Sequence, residues 1–250
     1  EESYTQWIKQ FIIFNNKTHP KKLSGEEIKN FLNYLAVERH VSASTQNQAL
    51  QGILYLYKNI LKKDIGWIED IKHVTRVKHL PVVLTKDEVN RIFSNLTGIP
   101  LLISKLLYGS GMRLSECLKL RIQDIDLEYK TVTVRDGKGE KDRITILPDK
   151  LILELKNHLH KLRNLFSKDK KKGNVGVPLP YALEKKYPNA NKEFSWQYIF
   201  PTKSLLFQES EKNYLRVHLH HSTFQKVFKN AVRKSDVTKQ ASPHTLRHSF

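Results

Sequence analysis

Cysteine and methionine are almost absent: Cys117 and Met112 are the single examples of each in 250 residues. One thiol excludes a disulfide framework within the chain and suits a reducing, cytoplasmic setting. Cys117 lies in a run with helical apolar spacing, which predicts a buried core thiol rather than a nucleophile. Long apolar runs are missing too. None reaches the ~20 residues that a membrane-spanning helix needs, and no signal peptide is visible. Acidic residues are scarce beside basic ones. Asp and Glu number 25 against 43 Lys and Arg, a formal charge of +18 with a pI near 9.8. Such a surplus repels itself unless a polyanion neutralises it. Nucleic acid is the expected partner, because each neutralised phosphate releases counterions. The chain opens on Glu1 and stops at Phe250 inside a patterned segment, which reads as a fragment lacking both natural ends.

What is present suffices for a folded core. Hydrophobic residues make up 39% and aromatics 10%, enough for one large domain or two ordinary ones and against wholesale disorder. Trp7, Phe11 and Phe14 suggest a first helix. Ile28, Phe31, Leu32, Leu35 and Ala36 follow the i, i+3, i+4, i+7 spacing of one helix face, behind a capping box at Ser24-Gly25-Glu26-Glu27. Leu50, Ile53, Leu54, Tyr57 and Leu61 repeat the pattern after a Ser/Thr-rich turn at Ser42 to Thr45. From His73 to Leu84 the helical period fades, the residues are basic and Pro81 intervenes. The expected organisation is a helical domain over 1–75, an extended linker over 76–84 and a second domain over 85–250.

Thr85-Lys86-Asp87-Glu88 opens the second domain with another capping box. Leu101 to Tyr108 is helical, Gly109-Ser110-Gly111 breaks it, and a further helix begins near Arg113. Thr131 to Arg135 and Arg143 to Leu147 alternate as strands around a glycine-containing turn, Asp136 to Lys141. Leu151, Leu155, Leu159 and Leu162 mark a helix. Ser167 to Gly173 reads as a Lys-rich solvated loop, Pro178 to Pro201 as a Pro-, Tyr- and Lys-rich stretch. Phe224, Val227, Phe228, Ala231 and Val232 mark a last long helix. The fold class expected is mainly α with a small antiparallel β-sheet (α+β).

Phosphate chemistry without a metal or other cofactor needs fixed cations around one phosphate, to neutralise charge growing on its oxygens. Arginine suits this best, because its planar fork donates two parallel bonds and keeps its charge. Arg113 follows a Gly-Ser-Gly turn at a helix start, where backbone N–H groups also favour anions. His244 and Arg247 lie three apart, on one face of a helix begun by Pro243. Each feature alone is of low or moderate specificity; their combination is more telling.

Four segments carry a resemblance. They are Leu107-Tyr108-Gly109-Ser110-Gly111-Met112-Arg113-Leu114-Ser115-Glu116, Asp124-Ile125-Asp126, Gly137-Lys138-Gly139-Glu140-Lys141-Asp142-Arg143, and Pro243-His244-Thr245-Leu246-Arg247-His248-Ser249-Phe250. In order and spacing they resemble the tyrosine recombinase superfamily of phage-integrase and Xer-like site-specific recombinases. The resemblance implies a helical, SAM-like core-binding domain followed by a catalytic domain. It implies that Arg113 and Arg247 clamp the scissile phosphate, that His244 hydrogen-bonds it and assists proton transfer, and that Lys138 protonates the leaving 5′ oxygen. Glu116 would sit behind Arg113 and orient it. The family's nucleophile is a tyrosine well after the His-x-x-Arg segment. Tyr108, Tyr181, Tyr198 and Tyr214 all precede His244, so no nucleophile is assigned and the fragment is expected to bind DNA without cleaving it. The implied chemistry is DNA strand transfer of the type IB topoisomerase kind.

Phe31 to Val37, Val41 to Leu50, Leu80 to Thr85 and Val177 to Pro188 resemble, more narrowly, the integron integrases. The stretch over about 177–201 looks like their extra segment. That resemblance implies cassette recombination at duplex attI and folded single-stranded attC sites by a homotetramer in a bacterial cytoplasm. Extruded bases are read by stacking and by basic side chains, and Phe194, Trp196, Tyr198 and Pro201 are candidates for that surface. His218, His220 and His221 cluster near Arg216. Zinc would be the chemical alternative, but no further ligand pair accompanies them. The family carries a basic, His-containing run here, with Val217 in place of its second arginine, so the cluster is expected to face DNA. The rival expectations are a Xer- or phage-type recombinase on duplex sites and a non-catalytic DNA-binding protein of this fold.

Overall fold

The structure, a computed structural model, describes residues 2–65, 80–135, 142–173, 175–180, 183–209 and 212–250. The expected turn Asp136 to Lys141, with Lys138 in it, lies outside the described residues, as do residues 76–79 of the expected linker. Two compact units are present, Glu1–Leu80 and Pro81–Phe250.

The first unit is helical: α1 Glu2–Phe14, α2 Gly25–Val37 and α3 Ala43–Tyr55. Ser24 caps α2, its Oγ accepting from Glu26 N–H at 3.3 Å while Glu27 Oε2 accepts from Ser24 N–H at 2.6 Å. Such a cap is worth about 1 kcal/mol. Phe11, Ile28, Phe31, Leu32, Leu35 and Ile53 are buried together, as the apolar period requires. The pattern runs on past Tyr55 to Leu61, but over Leu56–Leu61 the helix widens to π geometry and ends on Lys62 at φ +50°. Tyr57 Oη donates to Pro20 O at 2.8 Å, which ties this turn to the α1–α2 connection.

The second unit is mainly α with small sheets. It contains α4 Lys86–Ser94, α5 Gly98–Ser110, α6 Leu114–Lys119, α7 Asp149–Lys171, α8 Leu183–Lys186, α9 His221–Lys234 and α10 Pro243–His248. The first sheet is antiparallel in the order β1 Ile125–Asp126, β2 Thr131–Val134, β3 Arg143–Ile146. Its core joins Ile103, Leu106 and Leu107 of α5 with Val132, Val134, Phe224, Phe228 and Leu246.

Two expectations are corrected here, and one element is added. Helix α5 does not break at Gly109 but runs through Ser110 and ends at Gly111, φ +61°, a left-handed conformation that favours glycine. Gly109 answers to packing instead, since a Cβ there would run into Pro148 Cγ. Ser167 to Gly173 is not a solvated loop through most of its length, because α7 continues to Lys171 and buries Asp169 on one face. A second sheet was not foreseen. It comprises β4 Val175–Gly176, β5 Leu206–Gln208 and β6 Asn213–Leu215, in the order β4-β6-β5 with β4 parallel to β6. Strands of two and three residues are too short to display a period.

Candidate active site

The turn at Gly111 sets Arg113 at the N-cap of α6. One turn on, Glu116 folds back. Its Oε2 accepts the Arg113 backbone N–H at 2.7 Å and its Oε1 accepts Arg113 Nη1 at 2.7 Å. The carboxylate is nearly buried, with 7% of its side chain exposed. A third contact comes from β3, where Arg143 donates Nη2 to Oε2 at 2.6 Å and Nη1 to Oε1 at 3.1 Å. The fourth comes from α10, whose Arg247 brings Nη1 to 3.8 Å from Oε2. That Nη1 is buried and has no hydrogen-bond partner among the described residues.

Helix α10 is short and held at both ends. The Thr245 hydroxyl accepts the Ser242 N–H at 3.0 Å. The Ser249 hydroxyl donates to Thr245 O at 2.8 Å and accepts Leu84 N–H at 2.8 Å. Thr245 and Leu246 are buried, which leaves His244 and Arg247 on the other face. His244 lies edge-on to His248 with ring centroids 4.5 Å apart.

The electrostatics follow from this crowding. Burial pushes the Glu116 carboxyl up, but the bonds from Arg143 and from the backbone and side chain of Arg113 outweigh it and hold it down at about 2. His244 is lowered from the usual imidazole value by burial first, then by His248, Arg247 and Arg113. Arg247 is lowered by burial, then by Arg113. Three guanidinium groups against one carboxylate leave an excess of two positive charges. Fixed charge of this kind around an unbonded donor is matched to an oxyanion with several oxygens, such as a phosphodiester.

The structure therefore brings together Arg113, Glu116, His244 and Arg247 of the residues singled out in the sequence. Lys138 lies outside the described residues. Arg143 joins those four; its signal in the sequence is an arginine opening the strand that follows Gly137-Lys138-Gly139.

The residues expected to face DNA from the 177–201 segment and the histidine cluster are placed otherwise in part. Arg216 is turned inward: it is 4% exposed and bonds Asp169 and the carbonyls of Thr202 and Lys203. Tyr198 is 7% exposed and packs under Arg121, whose guanidinium carbon lies 4.5 Å from its ring and 5.4 Å from that of Trp196. Phe194 packs on Arg163 and Phe166. These aromatics fasten the segment to the domain, because apolar rings gain more from a dry contact than from water. His218 sits edge-on to Tyr198 with Nδ1 2.9 Å from Leu219 O. His220 caps α9 by accepting Ser222 N–H, and its ring lies 4.1 Å from that of the exposed His221. Among the described residues no three His, Cys, Asp or Glu side chains are grouped as metal ligands, nor is any helix long and apolar enough to cross a membrane.

A SAM-like helical unit followed by this second unit defines a protein of the DNA recombinase class. Residues 1–67 match the phage integrase, N-terminal SAM-like domain, and residues 82–250 match the phage integrase family. The chain belongs to the phage integrase family, the tyrosine recombinases. An integrase/recombinase of Escherichia coli is 43% identical over 250 residues, which is 100% of this chain and 74% of that protein. Tyrosine recombinase XerA of Pyrococcus furiosus is 31% identical over 176 residues, 69% of this chain and 48% of that protein. The solved XerH site-specific recombinase bound to a palindromic difH substrate shares the fold, with TM-score 0.59 and 19% identity over 100% of this chain and 67% of that one.

Proposed function

We propose that this chain holds a scissile DNA phosphate between Arg113, Arg247 and His244 for transfer to a tyrosine. The observation that carries the proposal is the buried Nη1 of Arg247, without a hydrogen-bond partner among the described residues, within a two-charge excess. The guanidinium groups donate to the non-bridging oxygens, where charge grows in the transition state. His244 hydrogen-bonds the phosphate, and its lowered pKa leaves it neutral enough to exchange a proton near pH 7. Lys138 protonates the departing 5′ oxygen. The bond from phosphorus to the 5′ oxygen breaks as the bond to the tyrosine oxygen forms. A 5′ hydroxyl from partner DNA reverses the step, so the phosphodiester energy is kept and no nucleotide is consumed. No tyrosine preceding His244 is assigned the attack.

The specific activity proposed is integron-type recombination of cassettes at duplex attI and folded single-stranded attC, by a homotetramer in a bacterial cytoplasm. Its support is the residue pattern over 177–188 and the further stretch to Pro201. The 31% identity to a XerA recombinase favours a second reading, recombination of duplex sites. The test uses the gene-encoded protein with a folded attC bottom strand and with a duplex core site. Tighter binding to the folded strand and a 3′-phosphotyrosyl adduct support the first reading. Equal affinity for both supports the second, and binding with no adduct supports a non-catalytic DNA-binding protein. Arg113→Ala or Arg247→Ala should each slow adduct formation by roughly 10²–10³-fold.

A further inference from the structure

Strand β3 runs against the usual rule for a half-buried strand. Ile144 and Ile146 point outward, 71% and 57% exposed, while Arg143 and Thr145 turn toward the protein. A slip of one residue would bury the isoleucines and turn Arg143 out. Polar contacts hold the observed register instead. Thr145 Oγ1 donates to Ser110 O at 2.8 Å, and Arg143 closes both terminal nitrogens on Glu116.

Those two bonds commit the Arg143 fork, so it is not a free phosphate ligand. They also fill the Glu116 carboxylate. Oε1 serves Arg113 and Arg143; Oε2 serves the Arg113 backbone and Arg143. The buried Nη1 of Arg247, 3.8 Å from Oε2, has no hydrogen-bond partner among the described residues. Were Arg143 absent, Glu116 would have acceptor capacity to spare beside the buried Arg247 Nη1, which has no partner among the described residues. The nearest way to satisfy both is for Arg247 to move onto Glu116.

We propose that Arg143 is a positioning residue for phosphate transfer, which saturates Glu116 and thereby keeps Arg247 available to the DNA phosphate and Arg113 at its working angle. The inference rests on the reading of the site given under Proposed function. Arginine is required because a lysine ammonium cannot bridge both carboxylate oxygens in one plane.

The experiment measures single-turnover cleavage and DNA affinity of the gene-encoded protein and its variants Arg143→Gln, Arg143→Lys, Glu116→Gln and Arg143→Gln/Glu116→Gln. Melting is recorded for each. Arg143→Gln should cleave roughly a hundredfold more slowly, the scale of a small misplacement of reacting groups. Its DNA affinity should change little, because many other cations share the backbone. Arg143→Lys should not restore the rate. The double variant should be no slower than the slower single one, as expected of residues acting through one another. A substrate with an uncharged methylphosphonate at the cleavage position needs the arginine clamp less, so the Arg143→Gln deficit should shrink on it. A merely structural loss would leave that deficit unchanged. Wild-type rate in Arg143→Gln, multiplied losses in the double variant, or an undiminished deficit on methylphosphonate overturns the inference alone. A wild-type protein that cleaves no DNA overturns the underlying reading, and this inference with it.

Discussion

Arg216 donates Nε and Nη2 to the two carboxylate oxygens of Asp169, 47 residues earlier, at 2.8 and 2.6 Å, and both side chains are buried. The pair fastens the end of α7 to the residue after β6, and through Arg216 Nη1 to the carbonyls of Thr202 and Lys203. Removing one partner of a buried pair leaves a charge without compensation, at about 3–5 kcal/mol. Asp169→Asn and Arg216→Ala should each lower the melting temperature by several degrees, measured by calorimetry. Neither should reduce the salt slope of DNA binding, whereas loss of one phosphate contact would reduce it by ~0.9. A reduced slope for a still-folded Arg216→Ala would mean that Arg216 reaches DNA after all.

The depressed carboxyl of Glu116 gives a pH signature. Its folded value of about 2 lies below the ordinary 4.5. The stability it contributes is therefore present in full above ~4.5 and is lost as pH falls from there toward ~2. Unfolding free energies across that window should fall more steeply for the wild type than for Glu116→Gln. Parallel curves would show that the arginines do not hold Glu116 ionised.

His244 should titrate below the ordinary 6.5, because burial disfavours its charged form and His248, Arg247 and Arg113 add repulsion. For a histidine lowered in this way the folded state takes up its proton later than the unfolded chain, so acidification below ~6.5 weakens folding. NMR of the imidazole protons gives the midpoint. His248→Ala exposes the ring and removes one repulsion, so the midpoint should rise. An unchanged midpoint would separate the two histidines electrostatically.

Arg121 is the buried pin of the 177–201 segment. It donates Nη1 to Trp196 O at 2.6 Å and Nη2 to Pro178 O at 2.8 Å, with its guanidinium over the rings of Trp196 and Tyr198. Each carbonyl left without its donor costs about 1–3 kcal/mol. Arg121→Lys keeps the charge but not the fork, and should speed amide hydrogen exchange around Trp196 and Tyr198. Exchange as slow as in the wild type would locate the restraint elsewhere.

Helices, caps and the pairing of Arg113 with Glu116 were legible because their determinants are local. The Ser24 and Thr85 boxes need three residues each, and the apolar face of α2 is a period within one element. Arg113 with Glu116, and His244 with Arg247, are pairs three apart on helical turns, so their spacing announces that they share a face. The Lys-rich tail of α7 misled for the same reason: its composition reads as solvated, and the one buried acid, Asp169, meets its partner only through tertiary contact. The aromatics near Trp196 looked like a stacking surface because composition does not say which way a ring points.

The order and spacing of the four segments around Arg113, Asp124, Lys138 and His244 carried the resemblance to the tyrosine recombinases, and composition gave the overall positive charge. Only the tertiary structure decided that one carboxylate, Glu116, gathers Arg113, Arg143 and Arg247 from α6, β3 and α10. Only it decided that Arg143 is spent on that carboxylate while Arg247 Nη1 is left without a hydrogen-bond partner among the described residues. The physical reason is range. Charge count and helical period are set by neighbours along the chain, whereas a bidentate bond across 27 residues depends on the register of a strand whose own isoleucines would favour the opposite face.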